Sequence, residues 1–402
     1  SFASAINSKG VSGPVTVDVV AGSGPYSEQV TFTASGTASN TITINGNGEK
    51  ITSAGTYRNY TVIYLNGADF FTFDNLAVEA NGISSGTRCY TINNSANSNT
   101  IKNSNLTMPR YTSTSSYTAY IMYSSDLYYR RDGNHGTGNV VKDNVMSNGI
   151  STTAGPYYGV IDYRGFRTQT AGNTVTGNSI SDVYMAGVYN YYCNDWEASN
   201  NKISFRSRTS YTVYGVYGYR GTGYNSGIKI NGNQVENQNV SSGLYGVYTY
   251  YCYGNNTNPV EVKNNKISNI RILADRDFNG AYINRSYFVD VTGNKVSNVE
   301  VLGARTYRSA YAFNVYYSND VNLKKNSVDN IKSLGGATWG LRTYRCNKLF
   351  IEDNIVNELT TGATSGSVNA GAVFYYTKKG SFVNNVVSNS SGGRIYGLSI
   401  EG

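Results

Sequence analysis

Apolar and polar residues alternate over short stretches along almost the whole chain, and after the first few residues no convincing stripe of period 3.6 replaces that alternation. The pattern predicts short β-strands bounded by Gly and Asn turns, and therefore an all-β fold. Two phrases recur within it. One is Tyr245-Gly246-Val247-Tyr248-Thr249-Tyr250-Tyr251-Cys252, with close copies at 186–193 and 214–221 and looser ones at 339–346 and 370–376. The other is a short apolar strand that runs into an asparagine and out into a second apolar strand, as in Val262-Lys263-Asn264-Asn265-Lys266-Ile267. Aligning its asparagine gives anchors at 75, 105, 144, 178, 201, 233, 265, 294, 326, 354 and 385, at intervals of 23 to 39 residues that average 31.

Each period therefore holds three short strands: the tyrosine strand, one before the asparagine and one after it. Three strands per turn, with loops absorbing the variable length, describe a parallel β-helix of about 11 coils. At ~4.8 Å per coil the stack is roughly 50 Å long. An asparagine repeated at one corner would stack on its neighbours as an amide ladder. A propeller blade of similar period would need a fourth strand and usually its own signature. Residues 1–55 read as an N-terminal cap, with a short helix at Phe2–Asn7 and strands near 15–20, 29–33 and 41–44, and residues 56–402 as one continuous β-helix. The chain ends on Tyr396-Gly397-Leu398-Ser399-Ile400, the start of another tyrosine strand, so either more polypeptide follows or the open edge meets another subunit.

The opening segment Phe2 to Phe32, the phrase from Tyr64 to Leu76 and the asparagine coils resemble secreted right-handed parallel β-helix repeat proteins of the bacterial cell-surface type, with a pectate-lyase-like fold. The resemblance covers nearly the whole chain. It implies the fold and an extracellular, cell-surface location, and it leaves function open between polysaccharide-active enzymes and non-catalytic stalks and adhesins.

Composition refines this picture. Tyrosine outnumbers phenylalanine 38 to 13, which places many rings on a surface where the hydroxyls stay wet. The net charge of +8 is spread along the chain and favours an anionic partner. No apolar run approaches the roughly 18 residues a membrane span needs. The start at Ser1 without methionine fits removal of a leader, as would a trimmed chain. Cys89, Cys193, Cys252 and Cys346 have no metal-site spacing, and the last three, two and three coils apart, are too distant to pair. No cofactor is expected.

Aligned on its glycine, the tyrosine strand resolves into columns. The residue after glycine (Val188, Val216, Val247 and their equivalents) faces the core. Three positions on, Tyr163, Tyr191, Tyr219, Tyr250, Asn284, Tyr316, Tyr344 and Tyr375 should face outward. The next column alternates: Arg164, Tyr192, Arg220, Tyr251, Arg285, Tyr317, Arg345, Tyr376. At a strand-ending corner, a guanidinium between two phenols gains cation–π attraction and keeps like charges apart. The two columns read either as ladders that stiffen the fold or as a repetitive contact face, and the two roles are compatible.

A polysaccharide-cleaving site would need carboxylates gathered on neighbouring coils. The best cluster is the loop holding Tyr128, Arg130, Asp132 and His135, the only histidine in the chain, with Asp162 one coil on. As an enzyme site it would use Tyr128 or His135 as base and Arg130 to neutralise a uronate; as a bland loop it is a solvated turn. Asp132-Gly133-Asn134 lacks the further acidic ligands of a calcium loop. Nucleic acid is a weak candidate on charge and aromatics alone. The leading expectation is a non-catalytic extracellular structural protein, a surface rod, filament or adhesin subunit that self-associates end to end or laterally through its Tyr/Arg face. The alternative is a carbohydrate-active or carbohydrate-binding protein acting on an anionic polysaccharide.

Overall fold

The computed structural model describes residues 2–57, 59–109, 115–123, 136–148, 155–163, 172–205, 212–219, 227–303, 308–362, 368–392 and 394–401. Contacts divide the chain into two units, Ser1–Asn201 and Lys202–Gly402. Each is built from three parallel sheets. In the first unit they run from Val15–Asp18 to Glu197–Ser199, from Tyr26–Ser27 to Ser179–Val183, and from Val30–Phe32 to Ala186–Tyr191. In the second unit they run from Lys229–Asn231 to Gly380–Val383, from Lys202–Phe205 to Val386–Ser388, and from Val213–Tyr219 to Arg394–Glu401. Successive strands within a sheet come from successive coils, which makes each unit a parallel β-helix. These are called below the first, second and tyrosine sheets.

Helix Phe2–Lys9 lies at the start of the first unit, where Phe2 meets Phe32 edge-on at 6.3 Å. Coil winding begins immediately after it, because Val15–Asp18 already pairs in parallel with Ile42–Asn45. Inside each unit, aliphatic residues stack on their own kind. In the second unit Val262, Val291, Leu323 and Ile351 form one buried column of the first sheet. Ile267, Val296, Val328 and Val356 form another in the second sheet. Burying each such side chain contributes about 1.5–3 kcal/mol, and the column repeats this at every coil.

The glycine of the tyrosine strand is needed for close packing. A Cβ on Gly246 would lie 2.4 Å from Cγ1 of Ile267 and 2.6 Å from the carbonyl oxygen of Gly280 in the next coil. The ladder register skips this glycine, pairing Tyr214 with Tyr245 and then Val216 with Val247.

The asparagine anchors at 144, 178, 201, 233, 265, 294, 326, 354 and 385 form the expected amide ladders, one run in each unit. In each step the Oδ1 of one asparagine accepts from the backbone N–H and the side-chain amide of the asparagine one coil before. Asn265 donates in this way to Asn294 at 2.9 Å from both nitrogens, and Asn294 to Asn326 at 3.0 Å. The anchors at 75 and 105 are corrected by this geometry. Ser104 occupies the ladder position, its backbone N–H bonded to Oδ1 of Asn144, and Leu76 occupies it one coil earlier, bonded to Ser104 Oγ. Asn75 sits one residue before, in a left-handed turn (φ 53°), and Asn105 one residue after, in a strand paired with Ala77 and Val145. A second buried ladder, Asn99–Asn139–Asn173, lies at the entry to the first sheet of the first unit.

Candidate contact surface

The register of the tyrosine sheet sets its outer face. In the first unit Tyr163 pairs with Tyr191, and their rings stack at 4.5 Å, 7° from parallel. In the second unit Tyr219, Tyr250, Asn284, Tyr316, Tyr344 and Tyr375 are aligned one above another, and apart from the buried Asn284 all are half-buried. Tyr316 and Tyr344 stack at 5.0 Å, 11° from parallel.

Two further aromatic columns, which the sequence alignment did not single out, pack beside this one and are largely buried, Tyr217 and Trp339 being 8% and 9% exposed. Tyr217, Tyr248 and Tyr282 stack at 4.6 and 5.0 Å, and the same column continues through Asn314 and Arg342. Beside them Tyr214 stacks on Tyr245 at 5.3 Å, and Tyr311 on Trp339 at 6.3 Å. The signal was present in the repeated Tyr two and five residues before the outer tyrosine. Period-2 counting from the outer tyrosine reaches the nearer of these directly, and only the farther one lies across the glycine that the ladder register skips. Burial pushes the phenols of Tyr245, Tyr248 and Tyr282 well above their ordinary value near 10, so they stay neutral donors. Tyr248 also accepts a hydrogen bond from the Asn284 amide at 3.1 Å. Not every tyrosine is at a surface: Tyr90, Tyr120, Tyr123 and Tyr158 are fully buried in the first unit.

The alternating column lies at the corner where the strand ends, and there its residues are left-handed: Tyr251, Arg285, Tyr317, Arg345 and Tyr376 have φ between 48° and 56°. The turn projects each side chain along the stack toward its neighbours. The guanidinium carbon of Arg285 lies 5.4 Å from the Tyr251 ring centre and 5.6 Å from that of Tyr317. Arg345 lies 5.5 Å from Tyr317 and 5.6 Å from Tyr376. Each arginine also donates to the phenol one coil before, Arg285 to Tyr251 and Arg345 to Tyr317, the latter at 2.7 Å. Those hydrogen bonds, with the rings around them, raise both guanidinium pKa values. Tyr192 has the same left-handed turn (φ 67°) and is buried, whereas Arg164 and Arg220 lie outside the described residues.

Charge is distributed unevenly among the faces of the second unit. The tyrosine-sheet strands from Val213 to Tyr375 contain no Asp or Glu. Among the described residues no carboxylate is within ion-pair distance of Arg285, Arg342 or Arg345. Arg342 instead donates to Asn314 Oδ1 at 3.0 Å and lies 5.3 Å from the Tyr311 ring centre. The other two sheets carry mixed pairs: Lys263–Glu261 at 2.7 Å, Lys324–Glu352 at 2.9 Å, Lys266–Glu236 at 2.6 Å.

Of the residues read as an enzyme cluster, Arg130, Asp132 and His135 lie outside the described residues, as does Tyr128. Asp162 points inward, is 1% exposed, and accepts from the Asn173 amide at 2.7 Å. Among the described residues no group of three or more His, Cys, Asp or Glu could hold a metal ion, and no helix is long and apolar enough to cross a membrane. All four cysteines are buried, and none is in a disulfide.

No family model and no curated protein matches the chain. Solved structures similar to it include a mannuronic acid specific polysaccharide family 6 lyase from human gut microbiota, at 10% identity and TM-score 0.46 over 92% of this chain and 84% of that one. The surface protein and adhesin PfbA of Streptococcus pneumoniae is similar at 13% identity and TM-score 0.36, over 96% and 91%. The A-module of the Azotobacter vinelandii mannuronan C-5 epimerase AlgE4 is similar at 13% identity and TM-score 0.38, over 100% and 94%. The strand registers settle the fold themselves. This is a parallel β-helix protein.

Proposed function

We propose that the protein is a non-catalytic, extracellular adhesive or structural protein, and that the tyrosine sheet of its second unit is the contact face, directed at an anionic polymer such as an acidic polysaccharide. The observation that carries this reading is the charge segregation on that face. Arg285 on one coil and Arg342 and Arg345 together two coils on are held by phenol rings, with no carboxylate within ion-pair distance among the described residues. Aromatic packing fixes each guanidinium without neutralising it, so its charge and remaining N–H donors stay available to a partner. A second copy meeting this face with its own would oppose arginine to arginine, which favours an anionic partner here and leaves end-to-end or other lateral contacts for self-association.

The test is retention on immobilised polygalacturonate and polymannuronate across a salt gradient. Retention should weaken as salt rises, and the triple variant Arg285→Gln, Arg342→Gln, Arg345→Gln should elute much earlier. Release of unsaturated uronate, followed by ultraviolet absorbance, would instead establish a lyase. Sedimentation over a concentration series reads self-association separately.

A further inference from the structure

We propose that the second sheet of the second unit carries a separate binding site for a linear neutral glycan, in a groove floored by the amides of Asn237, Asn269, Asn298 and Asn330. The inference does not depend on the anionic contact face, which lies on a different sheet. The groove has a volume of about 430 Å³. Its floor is a solvent-facing ladder: Asn269 donates to Asn237 Oδ1 at 2.9 Å, Asn298 to Asn269 at 3.0 Å, and Asn330 to Asn298 at 3.0 Å. An amide has two N–H donors and two acceptor lone pairs. Asn269 and Asn298 each spend one of either kind on the ladder, which leaves a donor and an acceptor per coil directed at solvent.

Backbone conformation alone does not account for the run of asparagines. All four are left-handed, with φ of 52° to 57°, a conformation that asparagine tolerates well. Yet the corresponding corner of the next coil holds Glu358 (φ 53°), and other left-handed corners of this unit hold Phe288, Tyr317 and Lys348. Four amides in register are therefore a surface property. The charged groups beside them are Arg271, paired with Glu300 at 2.9 Å, and Lys332, a single net positive charge set against four neutral amides.

The period selects the ligand class. The amides repeat at ~4.8 Å, whereas an extended peptide presents same-face groups every ~6.6–6.8 Å and drifts out of phase within two coils. A pyranose ring is about as long as the coil step, and its hydroxyls are both donors and acceptors, as the amides are. With no aromatic platform in the groove, binding comes from hydrogen bonds and accumulates with chain length up to the four-coil span.

Isothermal titration with cellohexaose, mannohexaose and chitohexaose, each with its disaccharide, tests this, with hexagalacturonate as the anionic counterpart. At least one neutral hexaose should bind, more tightly than its disaccharide. Each lost hydrogen bond weakens binding about 2- to 10-fold, so Asn269→Ala with Asn298→Ala, losing at least one bond each, should weaken it roughly 4- to 100-fold or more. Glu358→Asn extends the floor by one coil and should tighten binding about 2- to 10-fold, a gain that misfolding cannot mimic. The proposal is overturned if no neutral hexaose binds, if neither variant changes affinity, or if hexagalacturonate binds this groove more tightly and salt abolishes it.

Discussion

Asn294→Ala tests whether the buried amide ladder holds the coils together. The Asn294 side chain makes four good hydrogen bonds. It accepts from the backbone N–H and the amide of Asn265, each at 2.9 Å, and donates to Val262 O at 2.7 Å and to Asn326 Oδ1 at 3.0 Å. Truncation removes all four but does not orphan every partner. The Asn265 amide still donates to Ile230 O at 2.8 Å, and Asn326 Oδ1 still accepts from the backbone of Asn294. The backbone N–H of Asn265 is left buried without an acceptor. At about 1 kcal/mol per bond, plus about 1 kcal/mol or more for the orphan, the loss is about 4–6 kcal/mol. Asn294→Ser should recover part of this, because Ser104 shows that a hydroxyl can accept the same backbone N–H, there from Leu76 at 3.1 Å.

Urea unfolding followed by circular dichroism gives the midpoint, and amide exchange at Asn265 reports the local lesion. Local exchange is needed because a stack of coils with mostly nearest-neighbour contacts can open in part. The control is Asn298→Ala, which removes a solvent-facing rung and should cost under about 1 kcal/mol. If Asn294→Ala costs no more than Asn298→Ala, or if exchange at Asn265 is unchanged, the ladder does not hold the coils and the argument fails.

Gly246→Ala places a methyl against Ile267 and the Gly280 carbonyl and should destabilise the second unit by about 1–3 kcal/mol, read as a lower urea midpoint. Burial pushes the thiols of Cys89 to about 12 and Cys346 to about 11, from an ordinary 9.0. Both should resist thiol-specific reagents at pH 8 until the protein unfolds. Because the folded values are the higher ones, their stabilising effect is intact below pH 9 and is lost as pH rises from 9 toward 11–12, which alkaline unfolding with and without Cys→Ala checks. Burial raises the carboxyl of Glu236, but hydrogen bonds from Lys266 and Ser268 outweigh it and leave the pKa lowered. That contribution is present above the ordinary 4.5 and lost as pH falls below it, so Glu236→Gln should flatten the acid limb of the stability curve.

The three-strand coil was legible because period-2 alternation survives in every copy, and a β-helix reuses one register. Val216, Val247 and Ala281 are stacked as their alignment implied. The alternating Tyr/Arg corner was legible from the repeated register alone, since strict period-2 counting would have turned it inward. The first two ladder positions were not, because Leu76 and Ser104 stand where later coils have asparagine, and neighbouring asparagines mimic the motif one residue away. The groove amides were hidden for a different reason. Asn237, Asn269, Asn298 and Asn330 are spread among the chain's 51 asparagines, whose turn, ladder and surface roles look alike until backbone φ and coil register separate them.

These two surfaces of the second unit differ in the way that matters for recognition. On the tyrosine sheet, fixed rings hold unpaired guanidinium charges, so attraction should be long-ranged and sensitive to salt. In the asparagine groove, neutral amides offer directional bonds at a fixed step, so binding should ignore salt and depend on ligand length. Salt therefore separates the two sites without any mutation. A ligand whose retention survives high salt but falls with chain shortening is held by the groove, and one with the opposite behaviour is held by the arginines.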